Sequence, residues 1–232
     1  TVSNNTAIGY NALQDNTAAN NTAVGYNALL QNSTGHSNVA VGKGALDAAT
    51  TANYNNAVGL DALGATTTGI SNNAFGAAAL VTNTTGQYNS AFGHGALYSN
   101  TTADGNVAIG MYALYNNTTG ASNVAVGALG ALEANTTGAN NVAVGYDALT
   151  ANTTGASNTA VGTGALDANT TASNNVAMGS NALGANTTGT YNAAFGTGAL
   201  YANTTASSNT AVGYEALVAN TTGEYNIAVG TY

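Results

Sequence analysis

The chain has 232 residues, of which 4 % are charged and 44 % are hydrophobic, and its formal net charge is −8. With a single Lys and no Arg, it lacks the cations that bind nucleic-acid phosphates, so nucleic acid is excluded as a partner. The absence of cysteine excludes disulfides and thiolate metal sites. No apolar run approaches the roughly 18 residues of a membrane-spanning helix, so we expect no membrane insertion of this segment.

A five-residue motif, Asn-x-Ala-(Val/Ile/Phe/Met)-Gly, occurs fourteen times, from residues 5–9 to residues 226–230. Its closing residue, which we call the strand glycine, recurs after 17 residues in eleven of thirteen steps and after 16 or 18 in the others. A short fixed period is typical of solenoids, in which each coil stacks on its neighbours. We predict an all-β fold, a parallel β-solenoid of about fourteen 17-residue coils. Residues 1–232 would form one tandem-repeat domain, a segment of a longer fibre.

The elements of one repeat follow in order from residue 141. Residues 142–144 predict a short strand ended by Gly145, because they are β-branched or small and 17 residues cannot hold both an ordinary helix and a strand. Residues 148–149 predict a second extended segment. The alternative is one helical turn over residues 146–151, since Ala and Leu favour helix. Residues 152–155, Asn-Thr-Thr-Gly, predict a turn.

Two features of the predicted strand concern burial. Its second residue is always Ala and its third is always large and apolar, which indicates that both faces of the strand are buried. One face can line the interior of the coil. The other needs a cover, either identical chains or a second layer of the same roll. The Asn four residues before each strand glycine, the strand asparagine, predicts a ladder of side-chain amides bonded from coil to coil.

These repeats resemble a known family. Residues 21–29, Asn-Thr-Ala-Val-Gly-Tyr-Asn-Ala-Leu, and residues 140–149 are similar to the head repeats of trimeric autotransporter adhesins (YadA-like heads) and to repeats of phage tail fibres. The resemblance covers all fourteen units but only about half of each, and the 17-residue period implies a longer loop at Asn-Thr-Thr-Gly. It implies a left-handed roll, a trimer, and an extracellular or cell-surface fibre that is adhesive or structural.

Ten Asn-(Thr/Ser)-Thr triplets match the N-glycosylation sequon and fall in the predicted loop, where a glycosylating enzyme could reach the acceptor. The alternative is turn chemistry copied with the repeat. Residues 49–51 and 66–68 keep the Thr pair without the Asn, which suits O-glycans or a structural threonine ladder equally. The candidate glycosylation sites are Asn32, Asn83, Asn100, Asn117, Asn135, Asn152, Asn169, Asn186, Asn203 and Asn220.

Catalysis and metal binding find little support. His36 and His94 occupy different positions of the repeat, and the nine carboxylates are scattered without a calcium-binding pattern. We therefore predict no catalytic residue, no cofactor and no metal ligand, and we do not expect an enzyme. Tyrosines after the strand glycine, such as Tyr10 and Tyr146, and before the strand asparagine, such as Tyr88, predict an exposed aromatic stripe that could contact sugars or a partner chain.

The function that best fits these features is a structural subunit of an extracellular or cell-surface fibre, coated with glycans through its Asn-Thr-Thr loops. The alternative is an adhesin head or phage tail-fibre segment that binds a cell-surface receptor or glycan. A column of paired threonines also suggests an ice-binding β-solenoid, although adjacent residues of an extended strand face opposite sides. Expected partners are copies of the chain in a trimer or filament, covalent glycans and a host surface receptor.

Overall fold

The computed structural model describes residues 3–231, which contain fourteen three-residue strands and no helix. Each strand ends at the residue before a strand glycine, so the predicted strand position is confirmed. The all-β prediction is confirmed as well. The strands are β1 (Thr6–Ile8), β2 (Thr22–Val24), β3 (Val39–Val41), β4 (Asn56–Val58), β5 (Asn73–Phe75), β6 (Ser90–Phe92), β7 (Val107–Ile109), β8 (Val124–Val126), β9 (Val142–Val144), β10 (Thr159–Val161), β11 (Val176–Met178), β12 (Ala193–Phe195), β13 (Thr210–Val212) and β14 (Ile227–Val229).

The chain divides into two compact units, an N-terminal unit over Thr1–Thr119 and a C-terminal unit over Gly120–Tyr232. Within each unit every strand pairs in parallel with the next strand along the chain, so the spatial order repeats the chain order. Equivalent residues face each other, as Ala160 pairs with Ala143 on one side and Ala177 on the other. Each unit is therefore a parallel β-solenoid, as predicted. The left hand of the coil stays a prediction.

The second extended segment is wrong, and so is the alternative helical turn. After the strand glycine the chain makes overlapping four-residue turns, in which Ala148 N–H donates to Gly145 O at 3.4 Å and Asn152 N–H to Leu149 O at 3.1 Å. The turns need a left-handed backbone at Asp147 (φ 54°) and Leu149 (φ 53°). Local preference does not predict this backbone, because Leu rarely adopts a positive φ.

Burial explains why the strained position is Leu. A left-handed conformation costs about 1–2 kcal/mol for a residue with a Cβ, whereas burying a Leu side chain contributes about 1.5–3 kcal/mol. Leu149 is fully buried, and its N–H donates to Ala165 O of the next coil at 3.0 Å. Gly would relieve the strain but leave the interior empty, and the equivalent Leu is fully buried in eleven coils, from Leu29 to Leu200.

The strand glycines are required by close stacking. Gly145 has φ 135°, and a Cβ placed there would lie 2.7 Å from Gly162 O of the next coil. Real Cβ atoms do not approach a carbonyl oxygen so closely, so any side chain would force the coils apart. The interior is narrow for the same reason, and the second residue of each strand from β2 to β13 is a fully buried Ala.

Candidate functional surfaces

The predicted ladder of strand asparagines is confirmed. Asn158 is fully buried, and its Nδ2 donates to Asn141 Oδ1 of the preceding coil at 3.2 Å and to Ala172 O at 2.8 Å. Its own Oδ1 accepts the backbone N–H of Asn175 at 3.0 Å. Each strand asparagine thus satisfies its own amide and a backbone N–H of the next coil, which is what a buried amide requires.

The asparagines of the Asn-Thr-Thr loops, which we call corner asparagines, form a second buried file. Asn186 Nδ2 donates to Asn169 Oδ1 at 3.2 Å and to Gly189 O at 3.0 Å, so both of its N–H groups are used. Asn32, Asn83, Asn100, Asn117, Asn135, Asn152, Asn169, Asn186 and Asn203 are fully buried, and Asn220 is partly exposed.

This burial corrects one part of the sequence interpretation. The ten triplets do lie at bends of the coil, but the amides of nine of the ten candidate glycosylation sites face the interior and not a glycosylating enzyme. The physical reason is that a carboxamide repeated once per coil can pair with its own copies, which an isolated loop asparagine cannot do. The 17-residue recurrence of the Asn was the signal, and it is the same signal that predicted the strand asparagines.

The two threonines that follow each corner asparagine differ. The first corner threonine belongs to a ladder, since Thr187 Oγ1 donates to Thr204 O of the next coil at 3.1 Å. The second, such as Thr188, is exposed, and its backbone N–H donates to Thr204 O at 3.3 Å. The structural threonine ladder is therefore present, and beside it stands one file of exposed hydroxyls. The ice-binding interpretation stays a prediction.

The strands present a second repeated surface. The middle Ala points into the coil, while the first and third residues point outward, and we call this outward side the strand face of each unit. Phe75 and Phe92 are 39 % and 40 % exposed and stack with ring centroids 5.0 Å apart. The large apolar residues at the third position are therefore uncovered, and the prediction that a second layer of the same roll covers them is wrong.

The third strand residues all share this outward position and are partly or fully exposed. They are Ile8, Val24, Val41, Val58, Phe75, Phe92 and Ile109 in the N-terminal unit and Val126, Val144, Val161, Met178, Phe195, Val212 and Val229 in the C-terminal unit. No Asp, Glu, Lys, Arg or His occurs within any strand of residues 3–231.

The tyrosines are less regular than a stripe. Tyr10 and Tyr26 stack at 5.3 Å, but the equivalent Tyr146 is separated from them by many coils. The N-terminal unit also contains an aromatic cluster that the sequence interpretation did not include. Its ring centroids lie 5.5 Å apart for His94 and Tyr112, 5.2 Å for Tyr112 and Tyr115, and 4.8 Å for Tyr98 and Tyr115. The spacing of 17 residues between Tyr98 and Tyr115 was the available signal.

Two carboxyl groups have perturbed ionisation. Burial raises the pKa of Asp47 above its ordinary value of 3.8, and the negative charge of Asp61 in the next coil raises it further. Burial likewise raises the pKa of Asp167, with a smaller contribution from Asp147. Within residues 3–231 no three His, Asp or Glu side chains lie close enough together to hold a metal ion. That same part of the chain contains no helix suited to spanning a membrane.

Comparison with known proteins gives no family assignment. No protein-family model matches the chain, and no curated protein matches it in sequence. Function must therefore be argued from the repeated surfaces, namely the strand face, the exposed threonine file and the aromatic cluster.

Proposed function

We propose that the protein is a structural subunit of an extracellular or cell-surface fibre, in which copies of the chain associate through their strand faces. The observation that carries the proposal is the uncovered strand face, which repeats an apolar residue in every coil. Contiguous exposed apolar surface on a soluble protein marks an interaction site, because each square ångström removed from water stabilises the associated state by about 25 cal/mol.

Repetition favours a second copy over an unrelated partner. The third residue of Val142–Val144 and the third residue of Thr159–Val161 are equivalent in position. The surface therefore has the spacing of the coils themselves. Only a partner with the same spacing matches it along its length, and another chain of this sequence has that spacing. Symmetric self-association is also the commonest form of protein oligomer.

Charge is placed so that copies can approach. The chain carries a formal charge of −8, which opposes association at long range. However, all nine carboxylates lie outside the strands, and the strand faces carry only apolar and uncharged polar side chains. Two strand faces can therefore meet without burying an unpaired charge, which would cost several kcal/mol.

The resemblance to the heads of trimeric autotransporter adhesins and to phage tail fibres supports an extracellular location and a trimer. A structural role is favoured over catalysis because the repeated residues are those that hold the coils together and form their outer faces. The proposed roles of the two Asn files, the strand glycines and the buried Leu residues are all structural.

The test is the mass of the chain in solution for Phe92→Lys and a matched control. Phe92 lies on the strand face, whereas Tyr88, four residues earlier in the chain, is 60 % exposed and lies off it. Sedimentation velocity should show an oligomer for the parent chain and for Tyr88→Lys, and a monomer or a strongly weakened oligomer for Phe92→Lys. A parent chain that is monomeric at tens of micromolar would contradict the proposal.

An adhesin head that binds a surface glycan is the second candidate, and the aromatic cluster favours it. Tyr98, Tyr112 and Tyr115 are half-buried, Tyr115 contacts both of the others, and Tyr112 also contacts the exposed His94. Aromatic rings of this kind stack on the apolar faces of sugars. The chain has no Trp, so tyrosine fluorescence during titration with neutral oligosaccharides, on the parent chain and Tyr115→Ala, tests this candidate.

A further inference from the structure

We propose that the second corner threonine of each coil is an acceptor for O-linked glycans, which would coat the fibre with sugar on the corner of the coil. The inference extends the proposed fibre function and names the group that carries the sugars. The acceptors in the N-terminal unit are Thr34, Thr51, Thr68, Thr85, Thr102 and Thr119. Those in the C-terminal unit are Thr137, Thr154, Thr171, Thr188, Thr205 and Thr222.

The two threonines of each pair differ in how their hydroxyl groups are used. Thr101 Oγ1 donates to Thr118 O of the next coil at 3.2 Å, so the first threonine has a structural task. Thr102 is exposed at a bend. Among residues 3–231 none of the twelve second corner threonines uses its hydroxyl in a hydrogen bond to the chain. Coil stacking therefore explains the hydroxyl of the first threonine and leaves that of the second unexplained.

Other exposed positions of the same coils vary from one copy to the next. The residue after the strand glycine changes from Tyr146 to Thr163 to Ser180, and the residue before the strand asparagine changes from Ser157 to Asn174 to Tyr191. The copies have thus diverged at exposed positions. The second corner position is nevertheless Thr in twelve of the thirteen coils, from Thr34 to Thr222, and Ala18 in the first coil.

Backbone preference does not account for this uniformity. A β-branched residue suits an extended segment, but Val and Ile meet that preference as well as Thr. The third strand position, where shape and apolar area matter, accepts Val, Ile, Phe and Met, and the first corner threonine is replaced by Ser33 in one coil. None of these residues occurs at the second corner position, where Ala18 in the first coil is the single replacement, so the feature kept in the other twelve coils is the threonine hydroxyl.

The side chains at each corner differ in how far solvent and an enzyme can reach them. Nine of the ten corner asparagines are fully buried, and Asn186 shows how both N–H groups are donated, so the folded coil does not offer their Nδ2 as an acceptor. The adjacent second corner threonines are exposed at the outer bend. They recur once per coil, about 4.8 Å apart, which is the spacing of paired strands. With only 4 % charged residues, the bare surface attracts little water through ions, and sugars would supply a hydrated layer.

The chemistry is a glycosyl transfer from a nucleotide-activated sugar, catalysed by a separate glycosyltransferase. The threonine Oγ1 attacks the anomeric carbon and forms the glycosidic C–O bond. The bond from that carbon to the phosphate oxygen breaks, and the nucleoside diphosphate leaves with the electron pair. The hydroxyl proton passes to a base of the transferase, and no oxidation or reduction takes place.

The test is localisation of glycans by electron-transfer mass spectrometry on protein isolated from its natural source. Trypsin has only Lys43 to cut at, so chymotryptic cleavage after Tyr98 and Tyr112 isolates one corner. We expect glycosyl mass on Thr102 and none on Thr101 or Asn100. Bare second corner threonines throughout the chain would overturn the proposal, and so would sugars confined to the first threonine or to Asn.

Two variants produced in the natural host complete the test. Thr102→Val keeps the branched shape and should remove the sugar mass from this one peptide while leaving circular dichroism and oligomer mass unchanged. Thr101→Val should keep the sugar. If unglycosylated recombinant chain shows thermal hysteresis of freezing, the hydroxyl file binds ice and the proposal is overturned. Bare threonines together with dissociation by Phe92→Lys would overturn this proposal alone and leave the fibre function standing.

Discussion

The two units treat their corner asparagines differently. In the C-terminal unit the file runs without interruption, as in Asn169, Asn186 and Asn203, which bond in succession. In the N-terminal unit Ala49 and Thr66 replace two members, and Asn32 Oδ1 is left as a buried side-chain acceptor with no hydrogen-bond partner. The strand asparagines are present in every coil of both units. The fold therefore tolerates gaps in the corner file but shows none in the strand file.

The reason lies in what each Asn bonds. A strand asparagine accepts a backbone N–H of the next coil, as Asn158 Oδ1 does from Asn175, and no other group is placed to replace it. A corner asparagine accepts only from the side chain of the next corner asparagine, as Asn186 Oδ1 does from Asn203. Losing it leaves only side-chain groups of the neighbouring corner asparagines unpaired, one Oδ1 and one N–H, whereas losing a strand asparagine leaves a buried backbone N–H unpaired.

Asn158→Ala should have the largest effect on stability. It removes two donated bonds and leaves the buried N–H of Asn175 without its acceptor, so we expect a loss of about 2–4 kcal/mol in the free energy of unfolding. Urea denaturation followed by circular dichroism measures it. Thr163→Ala, an exposed change in the same coil, is the control and should lie within about 0.5 kcal/mol of the parent chain. If Asn158→Ala and Thr163→Ala lose equal stability, the buried strand asparagine contributes no more to the fold than an exposed side chain does.

Asn186→Ala should cost less, about 1–2 kcal/mol, because the groups left without a partner are both on side chains, Asn169 Oδ1 and one N–H of Asn203, while Gly189 O keeps the N–H of Asn175 Nδ2. The same denaturation experiment gives the ratio of the two losses directly. If Asn186→Ala proves as costly as Asn158→Ala, the gaps at Ala49 and Thr66 need a different explanation from the one given above.

Repair of the N-terminal file should have a smaller effect of opposite sign. Ala49→Asn alone gives Asn32 Oδ1 a donor but introduces a new unpaired Oδ1, so its net effect should be near zero. Ala49→Asn combined with Thr66→Asn joins Asn32 to Asn83 through an unbroken file and should stabilise the chain by about 1 kcal/mol. A double variant less stable than the parent chain would show that local packing, and not the missing donor, governs this corner.

The smallest effect concerns pH and is the same in both units. Because burial raises the pKa of Asp47 in the folded state, the protonated carboxyl favours the fold, and stability falls as pH rises from 3.8 through the folded pKa. Asp47→Asn should therefore be slightly more stable than the parent chain at pH 7 and indistinguishable from it near pH 3. The gain should be a fraction of a kcal/mol, since the carboxyl is half exposed. Asp167→Asn should behave alike, as measured by thermal unfolding against pH.

The periodicity of the sequence predicted the strands, but it did not predict the conformation of the turns. A 17-residue recurrence of Ala beside a large apolar residue located all fourteen strands and implied in-register stacking. The turns depend on positive φ at Leu149 and its equivalents, which local preference disfavours and only burial in a stacked coil stabilises. The buried corner asparagines were missed for a related reason. An Asn-Thr-Thr-Gly turn is usually exposed, and its burial here depends on pairing with copies in neighbouring coils.

In the proposed fibre the strand face is the contact between chains and the corner faces solvent. Electron cryo-microscopy of the assembled protein from its natural source tests it most directly. We expect Val144, Val161 and their equivalents to contact a second chain, while Thr154 and its equivalents point outward and carry extra density beyond Oγ1. A reconstruction with the strand face open to solvent would contradict the fibre model.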